Sequence, residues 1–250
     1  MRRTLQHSRP RRARPVVLAL AAVLSLGGTA VTPALAATGT STGTGGSAPT
    51  AAAGSAGAVT AFTAKGAVYT FAAGSAKARV SFVSDQVFRI ELSPSGPFTD
   101  PVGSDVALPQ GAPPATKWRD AGDRYELSTG KVTLRVYKSA LRFALYRADG
   151  SKVWEETKPI SWDGKATTQT LARGASEQYF GAGEQNGSFS HRGKTVQVGV
   201  DYDWNEGGHP NSVPFYLSSA GYGVYRNTYA PGSYAFDDPV STTEQELRFD

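Results

Sequence analysis

The residues able to do chemistry gather in one stretch, Tyr179 to Asp203, YFGAGEQNGSFSHRGKTVQVGVDYD. It opens on a short aromatic strand pattern and turns at Gly181 and Gly183. Within one segment it then presents Glu184, Gln185, Asn186, His191, Arg192, Asp201 and Asp203. Binding groups concentrate on loops held by rigid elements, so this stretch is the candidate site.

Several chemistries are excluded by type and spacing. Gly181-Ala182-Gly183 after a strand resembles the start of a dinucleotide fingerprint, but Gly187 is misplaced and no helix pattern follows. Ser188 or Ser190 with His191 or His209 lacks a nucleophile elbow. With no cysteine in the chain and only two histidines after residue 36, a metal centre is not expected, nor is any cofactor. What remains is carboxylate chemistry. Glycoside hydrolysis needs two acids, one to protonate the leaving oxygen and one to attack or to activate water. Glu184, Asp201, Asp203 and Glu206 qualify by type, and Tyr202, Trp204 and Tyr216 interleave with them as sugars require. The same acids could instead cap turns or pair with Arg192 and Lys194, and Tyr216 fits a core position better than a sugar platform.

The chain begins with six arginines ahead of VVLALAAVLSL (16–26) and then Ala34-Leu35-Ala36, the layout of a secretory signal peptide spanning 1–36. The apolar run is too short for a stable membrane span, so no membrane association is expected after cleavage near Ala36. Those six are among 26 Lys+Arg, and the leader holds no acid. Residues 37–250 therefore carry 20 bases against 21 acids, a net charge of −1. Nothing basic is left to favour nucleic acid. Residues 37–57 are Gly, Ser, Thr, Ala and Pro and read as a flexible linker.

From residue 58 the pattern is that of strands. Phe88, Ile90 and Leu92 share a face with Arg89 and Glu91 opposite, a half-buried strand. Residues 93–116 read as a long Pro/Gly loop. Val132, Leu134 and Val136 alternate, as do Leu141, Phe143 and Leu145, and Asp149-Gly150 marks a hairpin. Further strands are expected at 168–173, 213–218 and 222–228. No window carries a capped helical period. The expected fold is an all-β antiparallel sandwich over 58–250. The chain stops within an alternating pattern, Leu247 and Phe249, which suggests truncation of that domain.

Ordered motifs then give a resemblance. Glu177-Gln178-Tyr179-Phe180-Gly181-Ala182-Gly183-Glu184 resembles the E-x-F-Y-G-L-G-E segment of glycoside hydrolase family 31, the α-glucosidase and α-xylosidase family. His191-Arg192-Gly193-Lys194 is similar to its basic R-G turn. Val213 to Ser218 followed by Gly221 to Thr228 resembles its P-F-x-x-S…G-Y-G-x-x-x-N-T run. The resemblance implies a galactose-mutarotase-like β-sandwich that normally packs on a (β/α)8 barrel. The barrel carries the aspartate nucleophile and the acid/base of a retaining reaction on an α-linked oligosaccharide or glycoside. No barrel fits in this chain, so no catalytic residue is expected in it. The carried-over role is substrate binding by Asp201, with Asp203 as rival. Gly181, Gly183 and Glu184 would shape the turn, and Arg192 would pin the loop. Ala182 departs from the family's Leu, and Val198-Gly199-Val200 stands where many members have Trp-Asn. A stand-alone carbohydrate-binding sandwich is the competing expectation.

Overall fold

The computed structural model describes residues 19–23, 51–98, 111–164, 166–199, 204–205, 208–209, 211–227 and 230–244. Among them there is no helix. The strands are β1 (Ala19–Val23), β2 (Ala51–Ser55), β3 (Ala61–Lys65), β4 (Val68–Ala73), β5 (Ala76–Phe82) and β6 (Phe88–Ser93). Then follow β7 (Lys117–Asp120), β8 (Arg124–Ser128), β9 (Val132–Tyr137), β10 (Arg142–Arg147), β11 (Lys152–Glu155), β12 (Ser161–Gly164) and β13 (Ala166–Leu171). The last are β14 (Tyr179–Glu184), β15 (Thr195–Val198), β16 (Asn211–Ser218), β17 (Tyr222–Arg226), β18 (Gly232–Ala235) and β19 (Val240–Glu244).

Three sheets result, ordered β14-β16-β17-β1-β6-β5-β4-β3, β11-β10-β9-β8-β7 and β15-β18-β19-β13-β12-β2. All pairings are antiparallel except those of β1, which runs parallel to both β6 and β17. The strand-period patterns explain the layers. Val132, Leu134 and Val136 are buried on β9, and Phe143 and Leu145 on β10. These meet Tyr69, Phe71, Phe88 and Trp154 in one continuous core with Tyr179, Tyr216, Tyr222 and Phe236. The Asp149-Gly150 turn is formed as expected. Gly150 is left-handed (φ 82°), and Ser151 N–H donates to Asp149 Oδ1 at 2.8 Å.

Four features differ from the sequence reading. β1 lies inside the stretch read as a leader. A continuous apolar run suits a signal core and a parallel strand alike, so composition alone does not separate the two. β2 lies inside the stretch read as a linker. There Trp162 Nε1–H donates to Ala52 O at 2.8 Å, and the indole packs so closely on Gly54 that a Cβ would sit 2.8 Å from the ring. Backbone pairing and one tryptophan supply the order that local apolar content does not. β6 is buried on both faces, not half-buried. Glu91 accepts two hydrogen bonds from Arg79, at 2.7 and 2.8 Å, and Phe98 covers the guanidinium at 4.6 Å. Finally, β7 emerges from the end of the 93–116 loop.

A buried carboxyl joins two of the sheets. Glu156 is fully enclosed, accepting from Gln169 Nε2 at 2.6 Å and from Phe143 N–H at 2.9 Å. Burial pushes it up to about 8, against the lowering effect of those bonds.

Candidate functional site

The candidate stretch is built on an edge strand, β14, whose end is kinked. Gly181, Ala182 and Gly183 are all left-handed, with φ of 102°, 61° and 80°. Gly181 pairs with Tyr216 and Gly183 with Ser212, so β16 takes up two more residues than β14 across the kink. Pro214 lies in that excess. It has no N–H for the ladder, which is why pairing breaks there. Both glycines are required. A Cβ on Gly183 would lie 2.1 Å from Asn211 O, and one on Gly181 3.0 Å from Phe215 O. Ala182 adopts a conformation rare outside glycine, while its methyl is buried in the core. Such strained backbone persists where surrounding structure enforces it, commonly at functional sites.

The enforcement is visible. His191 N–H donates to Tyr179 O at 2.9 Å, and its ring Nε2 is 3.0 Å from Gly181 O. The ring is buried and stacks on Phe236, with centroids 6.0 Å apart. Beneath the kink, Tyr179, Tyr216 and Phe236 pack at 4.6 to 6.0 Å. Burial, then the nearby Glu177 charge, pushes the Tyr179 phenol upward. That phenol therefore stays neutral in the core. Tyr216 is likewise fully buried, as its sequence context suggests.

The kink delivers Glu184 to the exposed end of the edge strand. Its Oε2 accepts from Asn211 Nδ2, directly across the ladder. Gln185 Nε2 folds back to Ala182 O at 2.8 Å. Asn186 donates from its backbone to Gly208 O at 3.0 Å and from its side chain to Asn205 O at 2.8 Å. The loop after β14 is thus tied to the segment that follows the acidic stretch. His209 Nδ1 lies 3.3 Å from both Gly199 O and Ser212 Oγ, and holds the other side.

Gly181, Gly183 and Glu184 therefore come together at one strand end. Arg192 does not join them. Its guanidinium donates to Gly174, Glu177 and Ala175 carbonyls, stapling the turn that leads into β14. Asp201 and Asp203 lie outside the described residues, as do Tyr202 and Glu206. Asn211 was not singled out from sequence, since only the cross-strand register brings it to Glu184. Ser190 Oγ donates to Gln178 Oε1 at 2.7 Å. Chemically, the strand end offers a carboxylate and an amide, acceptors and donors for hydroxyl groups.

Comparison with known proteins agrees with this architecture. Residues 77–234 match the glycosyl hydrolase 31 N-terminal galactose mutarotase-like domain. An isomaltosyltransferase of Sporosarcina globispora is 29% identical over 170 residues, 61% of this chain and 14% of that protein. A Flavobacterium johnsoniae dextranase, solved with isomaltotriose, superposes with a TM-score of 0.71 at 21% identity, covering 77% of this chain and 25% of its own. A cycloalternan-forming enzyme from Listeria monocytogenes, solved with a pentasaccharide substrate, superposes with a TM-score of 0.66 at 23% identity, over 77% of this chain and 20% of its own. The chain thus spans a quarter or less of the length of these relatives.

Proposed function

The chain belongs to glycoside hydrolase family 31 through its N-terminal galactose mutarotase-like domain, and on that premise we propose that it serves an exported retaining α-glycosidase as a substrate-side support. In this reading the nucleophile and acid/base reside on a (β/α)8 barrel outside the chain. The domain contributes hydrogen-bonding groups that orient an α-linked oligosaccharide. Asp201, with Asp203 as rival, is the carboxylate that accepts from sugar hydroxyls, since a charged acceptor bonded to two hydroxyls fixes a ring's orientation strongly.

The observation that carries the reading is the kinked end of β14. Three consecutive left-handed residues, with His191 against Gly181 O and Asn211 across the ladder, hold the Glu184 carboxylate at the exposed end of the sheet. Support also comes from the relatives, two of which were solved with oligosaccharides.

The test uses the polypeptide read past Asp250. Asp201→Ala and Asp203→Ala are introduced into it, and kcat and KM are measured on isomaltotriose. One of the two should raise KM. If both parameters stay unchanged in both variants, the substrate-side assignment fails. The 250-residue chain alone should not hydrolyse an aryl α-glycoside. Export is checked separately, by N-terminal sequencing of the secreted protein, with Ala37 as the expected first residue.

A further inference from the structure

The five-stranded sheet β11-β10-β9-β8-β7 buries one face, and cross-strand register decides which residues share it. Leu145, Leu134 and Leu127 pair in one row and are fully buried. The rows on either side point the opposite way. Arg119, Glu126 and Arg135 form one of them, and Arg124, Tyr137 and Arg142 another. A third runs from Lys117 through Ser128, Thr133 and Tyr146 to Lys152. This outer face therefore holds six cations: Lys117, Arg119, Arg124, Arg135, Arg142 and Lys152. Its acids are Glu126, Glu155 and, at the turn into β8, Asp123, which leaves it a net charge of +3. Residues 37–250 together carry −1, so positive charge is concentrated on this one surface.

The cations are held in place. Glu126, with its side chain 9% exposed, accepts from Arg119 Nε at 2.8 Å and from Arg124 Nε at 2.9 Å, and Arg135 Nε lies 3.2 Å from it. Arg124 also meets Asp123 at 2.9 Å, and Glu155 serves both Lys152 at 2.7 Å and Arg142 at 3.8 Å. The Arg135 guanidinium lies 3.8 Å over the Tyr146 ring, and that of Arg142 lies 5.2 Å over Tyr137. Arg119 and Arg135 stand on strands two apart, as do Arg124 and Arg142. Each pair is thus separated by about 10 Å, two strand spacings.

We propose that the outer face of this sheet binds a linear anionic polysaccharide, its acidic groups meeting the array of Arg119, Arg124, Arg135 and Arg142. Charge complementarity carries the inference. Six cations share three acids, and planar guanidinium forks pair with two oxygens of one carboxylate or sulfate. The face is flat and its cations recur across the strands, which suits an extended chain with repeating charge. The aromatic rings argue against nucleic acid. Strand binding uses open ring faces on which bases stack, whereas Tyr137 and Tyr146 each lie under a guanidinium. The inference depends neither on Asp201 nor on the location of the catalytic residues.

The test measures binding of the whole chain to immobilised polygalacturonate, dextran sulfate, neutral dextran and duplex DNA at low salt. Two charge-matched double variants are compared. Arg119→Gln with Lys152→Gln alters the face at its two most exposed side chains among those in ion pairs, 69% and 50%. Lys65→Gln with Lys77→Gln alters exposed positions on β3 and β5, in another sheet. Equal urea midpoints establish that both variants fold. The parent should bind at least one of the two anionic glycans and not neutral dextran, and added salt should weaken the binding. The tighter of the two identifies the acidic group as carboxylate or sulfate. The face variant should lose roughly tenfold in affinity, the effect of two exposed charge contacts, while the Lys65 and Lys77 variant stays at the parent value. Equal losses in the two variants would reduce the binding to overall charge and overturn the assignment. Absence of binding to both anionic glycans would overturn it, and so would tighter binding to DNA than to either.

Discussion

Replacing Glu156 by glutamine should flatten the dependence of stability on pH. The carboxyl is fully enclosed between two sheets, and burial lifts it from an ordinary 4.5 to about 8. In the unfolded chain it regains the ordinary value. Between those two points the folded state holds a proton that the unfolded state has released. Stability contributed by this group is therefore complete below pH 4.5 and declines as pH rises toward 8. The slope is about 1.4 kcal/mol per pH unit, so the loss between pH 5 and pH 7 is about 3 kcal/mol. Both Gln169 Nε2 and the Phe143 N–H donate to this side chain. Glutamine can still accept from Phe143, and a flipped Gln169 amide can receive its N–H. The assay is urea unfolding of both proteins at pH 5, 6, 7 and 8. The variant should match the parent near pH 5 and exceed its midpoint at pH 8. Parallel curves for the two proteins would refute the linkage.

Gly183→Ala and Gly130→Ala both place a methyl on a left-handed residue, but only the first meets backbone, at 2.1 Å, while Gly130 faces open space. Urea midpoints should show a cost of about 1 kcal/mol for Gly130→Ala and a several times larger one for Gly183→Ala. Arg79→Met removes the partner of buried Glu91 and should cost about 3 kcal/mol by the same measurement, an effect absent when Glu91→Gln is added. The chain that keeps residues 1–36 holds β1 between β6 and β17, so amides of those two strands should exchange more slowly in it than in the exported form starting at Ala37, by hydrogen-exchange mass spectrometry. Unchanged protection would show that β1 does not seal that slot.

The strands were largely legible because each buries one face, and alternation such as Val132, Leu134 and Val136 records that directly. The hairpin at Asp149-Gly150 was legible because only a few residues tolerate its dihedrals. Strands held by partners distant in sequence were not. Nothing local in Ala51–Ser55 announces the indole of Trp162, and nothing in Arg89 or Glu91 announces that both faces of β6 are covered. The candidate site divides in the same way. Its glycines, Glu184 and its family resemblance stand in the linear order of Glu177 to Glu184. The kink itself depends on Pro214, some thirty residues on, breaking the ladder. The pairing of Glu184 with Asn211 follows from register, and the role of Arg192 as a staple on the 174–177 turn follows from where its long side chain reaches. Sequence determines which groups a segment carries, through chemistry that is local. Tertiary structure alone decides which of them meet, because register and burial are set by the whole sheet at once.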